Sequence, residues 1–365
     1  MPPSAKRSRP CWPLILVGAA ALSLACHRFG RGRGEIFALE DPAGDSFGAG
    51  DLVYPLRPDV TPGSLDLVSF SARADPQGTW FSATFARPIP IPDRRAMSMG
   101  GTTLDTLARL GFFTLNVDVY IDMDHVPGSG QVAMLPGRAA QVDARDAWEK
   151  AIVLTPRPFE ARDELRRIWI DAEKRRRTAE GAALDPRAVS ALEAAVGRRV
   201  ESQVFFPSQV RVSGPTIGFF VPNRFLGGPA EPTWGYVVGV SAADLEEKVN
   251  VPAALGLAAP PSKGLMILEV GAVPTEDRFG GARVGGAEPA LVDILVPEGR
   301  AQAEILRGDP RTGAVMIPAV VPLRLEPSPG ADAGEGEATP GAAEDLDGGA
   351  AGASPSSPGD ADAGS

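Results

Sequence analysis

Cysteine and histidine are almost absent from this sequence, and their scarcity limits the chemistry available to it. The 365 residues include two cysteines, Cys11 and Cys26, and two histidines, His27 and His125. The chain beyond Cys26 therefore forms no disulfide of its own and uses no thiol chemistry. Because only His125 lies beyond the first 30 residues, the sequence argues against a Ser–His–Asp triad and against a histidine-rich zinc site.

Positive charge is also in short supply. The formal net charge is −10, which argues against a nucleic-acid partner because phosphate binding needs a basic surface. Aromatic residues are only 6% of the chain, whereas the 42 glycines and 36 prolines favour many short strands joined by turns. The composition predicts a β-rich protein and not a helical one.

The first 26 residues have the pattern of an export signal. A basic start precedes an apolar stretch at 13–25, which is too short to span a bilayer but suits a signal peptide. A small residue followed by Cys26 is typical of a bacterial lipoprotein, so 1–26 is predicted to be a signal peptide with lipidation at Cys26. Residues 27–34 then form a tether, and the protein is membrane-tethered in the cell envelope. Ser23 stands where such signals usually have leucine, so an ordinary signal peptide and a secreted protein remain the alternative.

Short apolar runs, several of them alternating with polar residues, predict eight to eleven strands between residues 35 and 326. Asp75, Pro76, Gln77 and Gly78 form a turn that joins two of these runs into a hairpin. Such a pattern predicts a mainly β fold, an antiparallel β-sandwich. The predicted strands lie at 65–71, 79–86, 112–121, 147–154, 203–221, 234–240, 264–270 and 290–296.

Residues 159–200 break the β pattern. Helix-forming residues with opposed charges fill 159–177, and Asp185 followed by Pro186 is typical of a helix start. The sequence therefore predicts a helical hairpin inserted into the sandwich. Residues 327–365 are acidic, with no apolar residue larger than alanine except Leu346, and predict a disordered tail.

Several motifs in this body resemble the C-terminal module of glucodextranase, which also occurs in amylopullulanase-like enzymes. The opening segment at 41–55 resembles the family pattern DPxGDxxGxGxYxYP, and the later motifs keep the family order. These later motifs lie at 62–67, 118–124 (DVYIDMD), 135–138 (LPGR), 234–236, 278–281 and 292–299. The resemblance covers about 35–326 and implies a β-sandwich that binds a saccharide or a cell surface, with no catalytic residues. The segment at 159–200 has no counterpart in that pattern.

Aspartates collect in two of the predicted loops. Asp41, Asp45 and Asp51 lie in a glycine-rich loop, and Asp122 and Asp124 follow a strand. Calcium prefers six to eight oxygen ligands from flexible loops, so these five residues are candidate Ca²⁺ ligands if the two loops converge. The alternative is that each aspartate only caps its own turn.

Three aromatic residues are the candidate sugar-binding groups. Sugar rings stack their C–H faces on exposed aromatic rings, and Trp234, Tyr54 and Trp80 lie in or beside predicted strands and loops. Core packing is the alternative for each of them.

These observations predict a non-catalytic, surface-tethered module that binds a carbohydrate or a cell-envelope polymer. A second hypothesis is a structural or assembly lipoprotein that binds a protein partner through the helical hairpin. A third, minor hypothesis is a glycoside hydrolase, since that chemistry needs only two suitably spaced carboxylates.

Overall fold

The computed structural model describes residues 34–92, 98–99, 102–103, 108–244, 264–283 and 288–323. Sixteen strands lie in these residues: β1 (Glu35–Glu40), β2 (Leu67–Asp75), β3 (Gly78–Phe85), β4 (Ser98–Met99), β5 (Thr102–Thr103), β6 (Leu115–Asp122), β7 (Gln141–Val142), β8 (Lys150–Leu154), β9 (Val204–Phe205), β10 (Val210–Ser213), β11 (Thr216–Pro222), β12 (Gly235–Ala242), β13 (Glu269–Val270), β14 (Arg278–Phe279), β15 (Asp293–Ile294) and β16 (Met316–Ile317). The helices of the same residues are α1 (Pro158–Ala179), α2 (Pro186–Gln203), α3 (Asn223–Leu226) and α4 (Gln302–Arg307), with a 3₁₀ turn at Ala144–Asp146.

Some predictions fall outside the described residues. These are the signal peptide at 1–26 with Cys26, nearly all of the tether at 27–34, and the tail at 327–365. In the part of the chain that is described, no helix is both long enough and apolar enough to cross a bilayer.

The first sheet has five strands in the order β1-β2-β3-β11-β10, and each neighbouring pair is antiparallel. Residues of β3 and β11 alternate between buried and partly exposed, so one face of this sheet packs inward and the other is open. Phe81 and Phe219 lie on the inner face, with ring centroids 5.8 Å apart.

The predicted hairpin at Asp75–Gly78 is confirmed, because β2 and β3 pair across it with Asp75 opposite Gly78. The Asp75 carboxylate accepts a hydrogen bond from the backbone N–H of Gln77 at 3.0 Å. Gly78 does not have a positive φ, so the turn does not need glycine for its backbone conformation. Glycine is needed there for space, because a Cβ atom would clash with the carbonyl oxygen of Val221 on β11.

The second sheet has the order β15-β12-β6-β8-β9, with all pairs antiparallel except β8 and β9. Every residue of β6 and β12 is buried, since both faces of this sheet are covered. Val117, Val119 and Val238 pack toward the first sheet in one core cluster, whereas Tyr120 and Val237 belong to a second cluster on the opposite face. The predicted antiparallel β-sandwich is confirmed.

The predicted helical hairpin is also confirmed, as α1 and α2. The Asp185 side chain caps α2 by accepting a hydrogen bond from the Ala188 N–H at 2.8 Å, and Pro186 is the first helical residue. Leu165, Leu192 and Val200 are buried in the core cluster on the outer face of the second sheet. The hairpin therefore forms a third layer of the fold.

Two predicted strands are shorter than expected. The run at 264–270 contains only the two residues of β13, because Met266 has a left-handed φ of 51° that interrupts the extended chain. The run at 290–296 contains only the two residues of β15, although Val292 and Leu295 still donate backbone hydrogen bonds to β12.

Candidate functional site

The outer face of the first sheet is an open surface of small polar residues. The alternating pattern sends Phe70, Phe81 and Phe219 inward, so serine and threonine side chains of β2, β3 and β11 lie outward. Strand register aligns two rows across four strands: Ser71, Ser82, Gly218 and Arg211, and Ser69, Thr84, Thr216 and Ser213. The hydroxyl groups of Thr84 and Thr216 lie 3.0 Å apart.

Trp80 lies at one end of this face. It pairs with Phe220 on β11, and the two ring centroids are 5.5 Å apart. The exposed Arg211 places its guanidinium carbon 4.1 Å from the Trp80 ring centroid. The open face thus combines an aromatic pair, a cation and rows of hydroxyl groups.

The sequence analysis missed Phe220 and Arg211. The signal for Phe220 was present, since Phe219 and Phe220 are consecutive in a strand and must point to opposite faces. Arg211 had no local signal, because its contact with Trp80 depends on β10 and β3 both flanking β11.

The other two predicted sugar-binding aromatics lie in the core. Trp234 is 7% exposed and Tyr54 is 9% exposed, so neither presents a ring face at the surface. The Tyr54 hydroxyl donates a hydrogen bond to the carbonyl oxygen of Ser46 at 2.9 Å, and burial raises its pKa to about 12. Of the three residues, only Trp80 has a partly exposed ring.

A group of three buried or partly buried carboxylates lies where the two sheets meet. Asp41, Asp45 and Asp293 each place one carboxylate oxygen within 4.8 Å of the others. Asp41 directly follows β1 of the first sheet, Asp45 lies in the adjacent glycine-rich loop, and Asp293 belongs to β15 of the second sheet. We call this group the inter-sheet cluster. The sequence predicted Asp41 and Asp45 but missed Asp293.

Backbone groups hold this cluster in place. Asp41 Oδ1 accepts a hydrogen bond from the Val296 N–H at 2.7 Å, and Asp293 Oδ2 accepts one from the Leu67 N–H at 2.6 Å. The buried Gln302 side chain of α4 donates to the carbonyl oxygen of Asp45 at 2.6 Å. The cluster is therefore built into contacts between distant parts of the chain.

Burial dominates the electrostatics of the inter-sheet cluster. The pKa of Asp41 is raised to about 8, mainly by burial and in smaller part by the nearby Asp45 and Asp66 carboxylates. Burial, with the negative charges of Asp41, Asp45 and Asp66, raises the pKa of Asp293 well above its usual value, and burial raises that of Asp45 as well. Among the described residues, no lysine, arginine or histidine forms an ion pair with these three carboxylates.

A second acidic group contains Asp122, Asp124 and Glu149. Asp122 accepts a hydrogen bond from the His125 N–H at 2.8 Å, and the His125 ring nitrogen Nδ1 lies 3.2 Å from its other oxygen. Ser129 Oγ lies 3.0 Å from both Asp124 Oδ1 and Glu149 Oε1, so these two carboxylates share its single hydroxyl donor. Asp122 Oδ1 and Asp124 Oδ1 accept backbone hydrogen bonds from residues 124–126 of the same turn, which is the alternative that the sequence left open. Asp122 Oδ2 is buried and forms no hydrogen bond.

The two acidic loops do not converge on one set of carboxylates. Val240 of β12 pairs with Asp293, whereas Gly235 of the same strand pairs with Asp122. These positions are five residues apart on β12, a separation of about 17 Å along an extended strand. Asp51 is exposed and belongs to neither group.

Comparison with known families agrees with the motifs. Residues 36–321 match the family model of the C-terminal binding module, SLH-like, of glucodextranase. This match covers well over half of the chain, so the chain belongs to that family, whose model describes a binding module and not a catalytic domain. A comparison with curated proteins gives no significant match.

Proposed function

We propose that this member of the family is a non-catalytic module that binds a carbohydrate or a cell-envelope polymer on the open face of its first sheet. The observation that carries the proposal is the arrangement of side chains on that face: the Trp80 and Phe220 rings lie beside serine and threonine residues that the strand register aligns. Family membership supports a binding role, since the family is described as a binding module.

The chemistry of this face suits a polysaccharide. The Trp80 and Phe220 rings offer apolar surface for the C–H face of a sugar ring, and hydroxyl side chains both donate and accept hydrogen bonds with sugar hydroxyls. The rows run across four neighbouring strands, so they offer hydrogen-bonding groups along an extended surface and not at a single point. A polymer fits this arrangement better than a small molecule, which usually needs a concave pocket.

Arg211 is the one obstacle to stacking on Trp80, because its guanidinium lies over the ring. A cation–π contact at an exposed site contributes only about 0.5–1 kcal/mol. A sugar that displaces Arg211 therefore loses little, and the displaced guanidinium becomes available as a donor to sugar hydroxyls or to an acidic substituent.

A glycoside hydrolase has less support. The carboxylates of the inter-sheet cluster are close enough for such chemistry, but Asp293 is 0% exposed and Asp41 only 8%. A saccharide has no access to these oxygens without opening the sandwich. Asp122 and Asp124 of the second acidic group accept hydrogen bonds from backbone N–H groups of their own turn, and Glu149 accepts one from the Met123 N–H.

A protein partner that binds through the helical hairpin also has less support. Leu165, Leu192 and Val200 of the hairpin pack on the second sheet, so these side chains are already used in folding. Its outward side is rich in charged pairs, such as those that Arg176 forms with Glu173 and Glu180. Solvated ion pairs of this kind contribute little to stability and are typical of an exposed helix surface.

The binding proposal is tested by removing both rings together. Full-length protein with Trp80→Ala and Phe220→Ala should bind dextran, starch or peptidoglycan at least about tenfold more weakly than wild type, a loss of about 1.4 kcal/mol. Both side chains lie on the outer face, so the variant should keep its fold. Sedimentation with insoluble polymers and affinity electrophoresis with soluble ones measure the change.

The matched control is Phe159→Ala, which removes a ring that is 52% exposed on α1. This variant should bind as wild type does. Equal retention of the Trp80/Phe220 variant and wild type, or no retention of wild type by any of the three polymers, contradicts the proposal.

We further propose that Cys26 carries a lipid that tethers the module to the cell envelope. The support is the sequence pattern of residues 1–26 and the SLH-like description of the family. Cells fed a radiolabelled fatty acid should label the wild-type protein and fail to label Cys26→Ala. Equal label in both proteins would rule out lipidation at that residue.

A further inference from the structure

The inter-sheet cluster contains buried oxygens that nothing in the described protein satisfies. Asp41 is 8% exposed, yet its Oδ2 atom is buried without a hydrogen-bond partner. Asp45 Oδ1 is likewise buried without a partner. A buried polar atom without a partner is costly, and more so when it carries charge, so two in one cluster indicate that a partner is missing.

Charge points to the nature of that partner. The Asp66 carboxylate lies close enough to raise the pKa of Asp41, Asp45 and Asp293, so four acidic side chains share one region. Both Asp66 oxygens accept hydrogen bonds from the Gly44 N–H, at 3.0 and 2.9 Å. No basic side chain of the described residues forms an ion pair with the three cluster carboxylates. Protons neutralise such buried carboxylates when no cation is present, and a bound cation takes the place of those protons.

We propose that Asp41, Asp45 and Asp293 form a calcium site that ties the first sheet to the second. Three carboxylate oxygens are hard ligands, which favour Ca²⁺ or Mg²⁺ over zinc. The site differs from the one that the sequence predicted, because it includes Asp293 and includes neither Asp51 nor the second acidic group.

The number of carboxylates favours calcium over magnesium. Magnesium usually keeps several waters and binds one or two carboxylates, whereas calcium accepts six to eight oxygen ligands, several of them carboxylates, from flexible loops. Three carboxylates that each place an oxygen within 4.8 Å of the others suit the calcium ion.

The position of the site gives it a structural role. β15 is an edge strand with two paired residues, and its Asp293 reaches the loop that follows β1. A cation bound there connects residues 41, 45 and 293, which are far apart in the sequence. Binding to the folded state alone raises stability by mass action, so calcium should raise the unfolding temperature.

Asp45→Asn is the sharpest variant, because Asp45 Oδ1 has no hydrogen-bond partner to lose. Full-length protein treated with EDTA and then titrated with Ca²⁺ should bind one ion at this site in isothermal titration calorimetry. Its unfolding temperature should rise by about 5–10 °C at a calcium concentration 100 times Kd. Asp45→Asn should bind calcium at least tenfold more weakly than wild type and lose most of the rise in unfolding temperature. In EDTA it should unfold at or above the wild-type temperature, because the change removes a negative charge from the cluster.

Asp51→Asn is the matched control, since it makes the same change in the same loop at an exposed position outside the cluster. It should bind calcium and shift in temperature as wild type does. Three results would overturn the proposal: no binding and no thermal shift of wild type at millimolar Ca²⁺, an unchanged response in Asp45→Asn, or loss of the response in Asp124→Asn but not in Asp45→Asn. The last result would assign the ion to the second acidic group.

Discussion

At the scale of single residues, the fold depends on a buried ion pair that the sequence motifs did not explain. Arg138 is 0% exposed and donates to both oxygens of Asp118, from Nε at 2.5 Å and from Nη2 at 2.8 Å. Its Nη1 also donates to the carbonyl oxygen of Pro136 at 2.9 Å. The LPGR motif at 135–138 thus supplies a cation to the buried carboxylate of β6. Such a pair stabilises the fold only while both partners are present.

Removal of this cation should be costly. Arg138→Met leaves Asp118 as an unpaired buried charge, and we expect the free energy of unfolding to fall by about 3–5 kcal/mol. The double variant Arg138→Met with Asp118→Asn should recover part of that loss, because the remaining side chain is neutral. Urea denaturation followed by circular dichroism measures both. A loss below about 1 kcal/mol in the single variant would show that the pair is unimportant.

At the scale of elements, the helical hairpin is a layer of the fold and not an attachment to it. Leu192 of α2 is 1% exposed and belongs to the same cluster as Tyr120 and Val153 of the second sheet. The hairpin packs on β8 and β9, while Met134, Leu291 and Ala319 lie against β12 in the same cluster. Together these contacts leave β6 and β12 buried at every position, whereas a sandwich alone leaves one face of each sheet open. The hairpin and the second sheet should therefore unfold together.

Leu192→Ala tests this interpretation. Truncation of a buried leucine should lower the free energy of unfolding of the whole domain by about 2–5 kcal/mol. The exposed Glu193→Ala on the same helix should change it by less than about 0.5 kcal/mol. If the hairpin were an independent attachment, Leu192→Ala would leave the main unfolding transition in place and melt only the helical signal.

At the scale of the whole molecule, the local sequence pattern predicted the strands and helices. The acidic cluster and the exposed aromatic pair depend instead on contacts between residues far apart in the sequence. The alternation at 79–86 placed Trp80 and Phe81 on opposite faces, and Asp185 with Pro186 located the start of α2. No local pattern relates Asp293 to Asp41, because they come close only when the two sheets pack together. Asp41 follows β1, an edge strand of the first sheet, and Asp293 lies in β15, an edge strand of the second. For the same reason the sequence did not show that Trp234 and Tyr54 face the core.

Three layers with distinct roles follow from these contacts. The helical hairpin covers β8 and β9, and the segments with Met134, Leu291 and Ala319 cover β12. The other face of the second sheet packs on the first sheet, whose outer face remains open. We therefore assign ligand binding to the layer farthest from the hairpin.

Hydrogen–deuterium exchange of the full-length protein, with and without a saturating concentration of the soluble polysaccharide it binds best, tests this assignment most directly. We expect slower exchange in β3, β11 and β10, centred on Trp80, Phe220 and Arg211, and unchanged exchange in α1 and α2. Protection confined to the hairpin, with none in the first sheet, would contradict it.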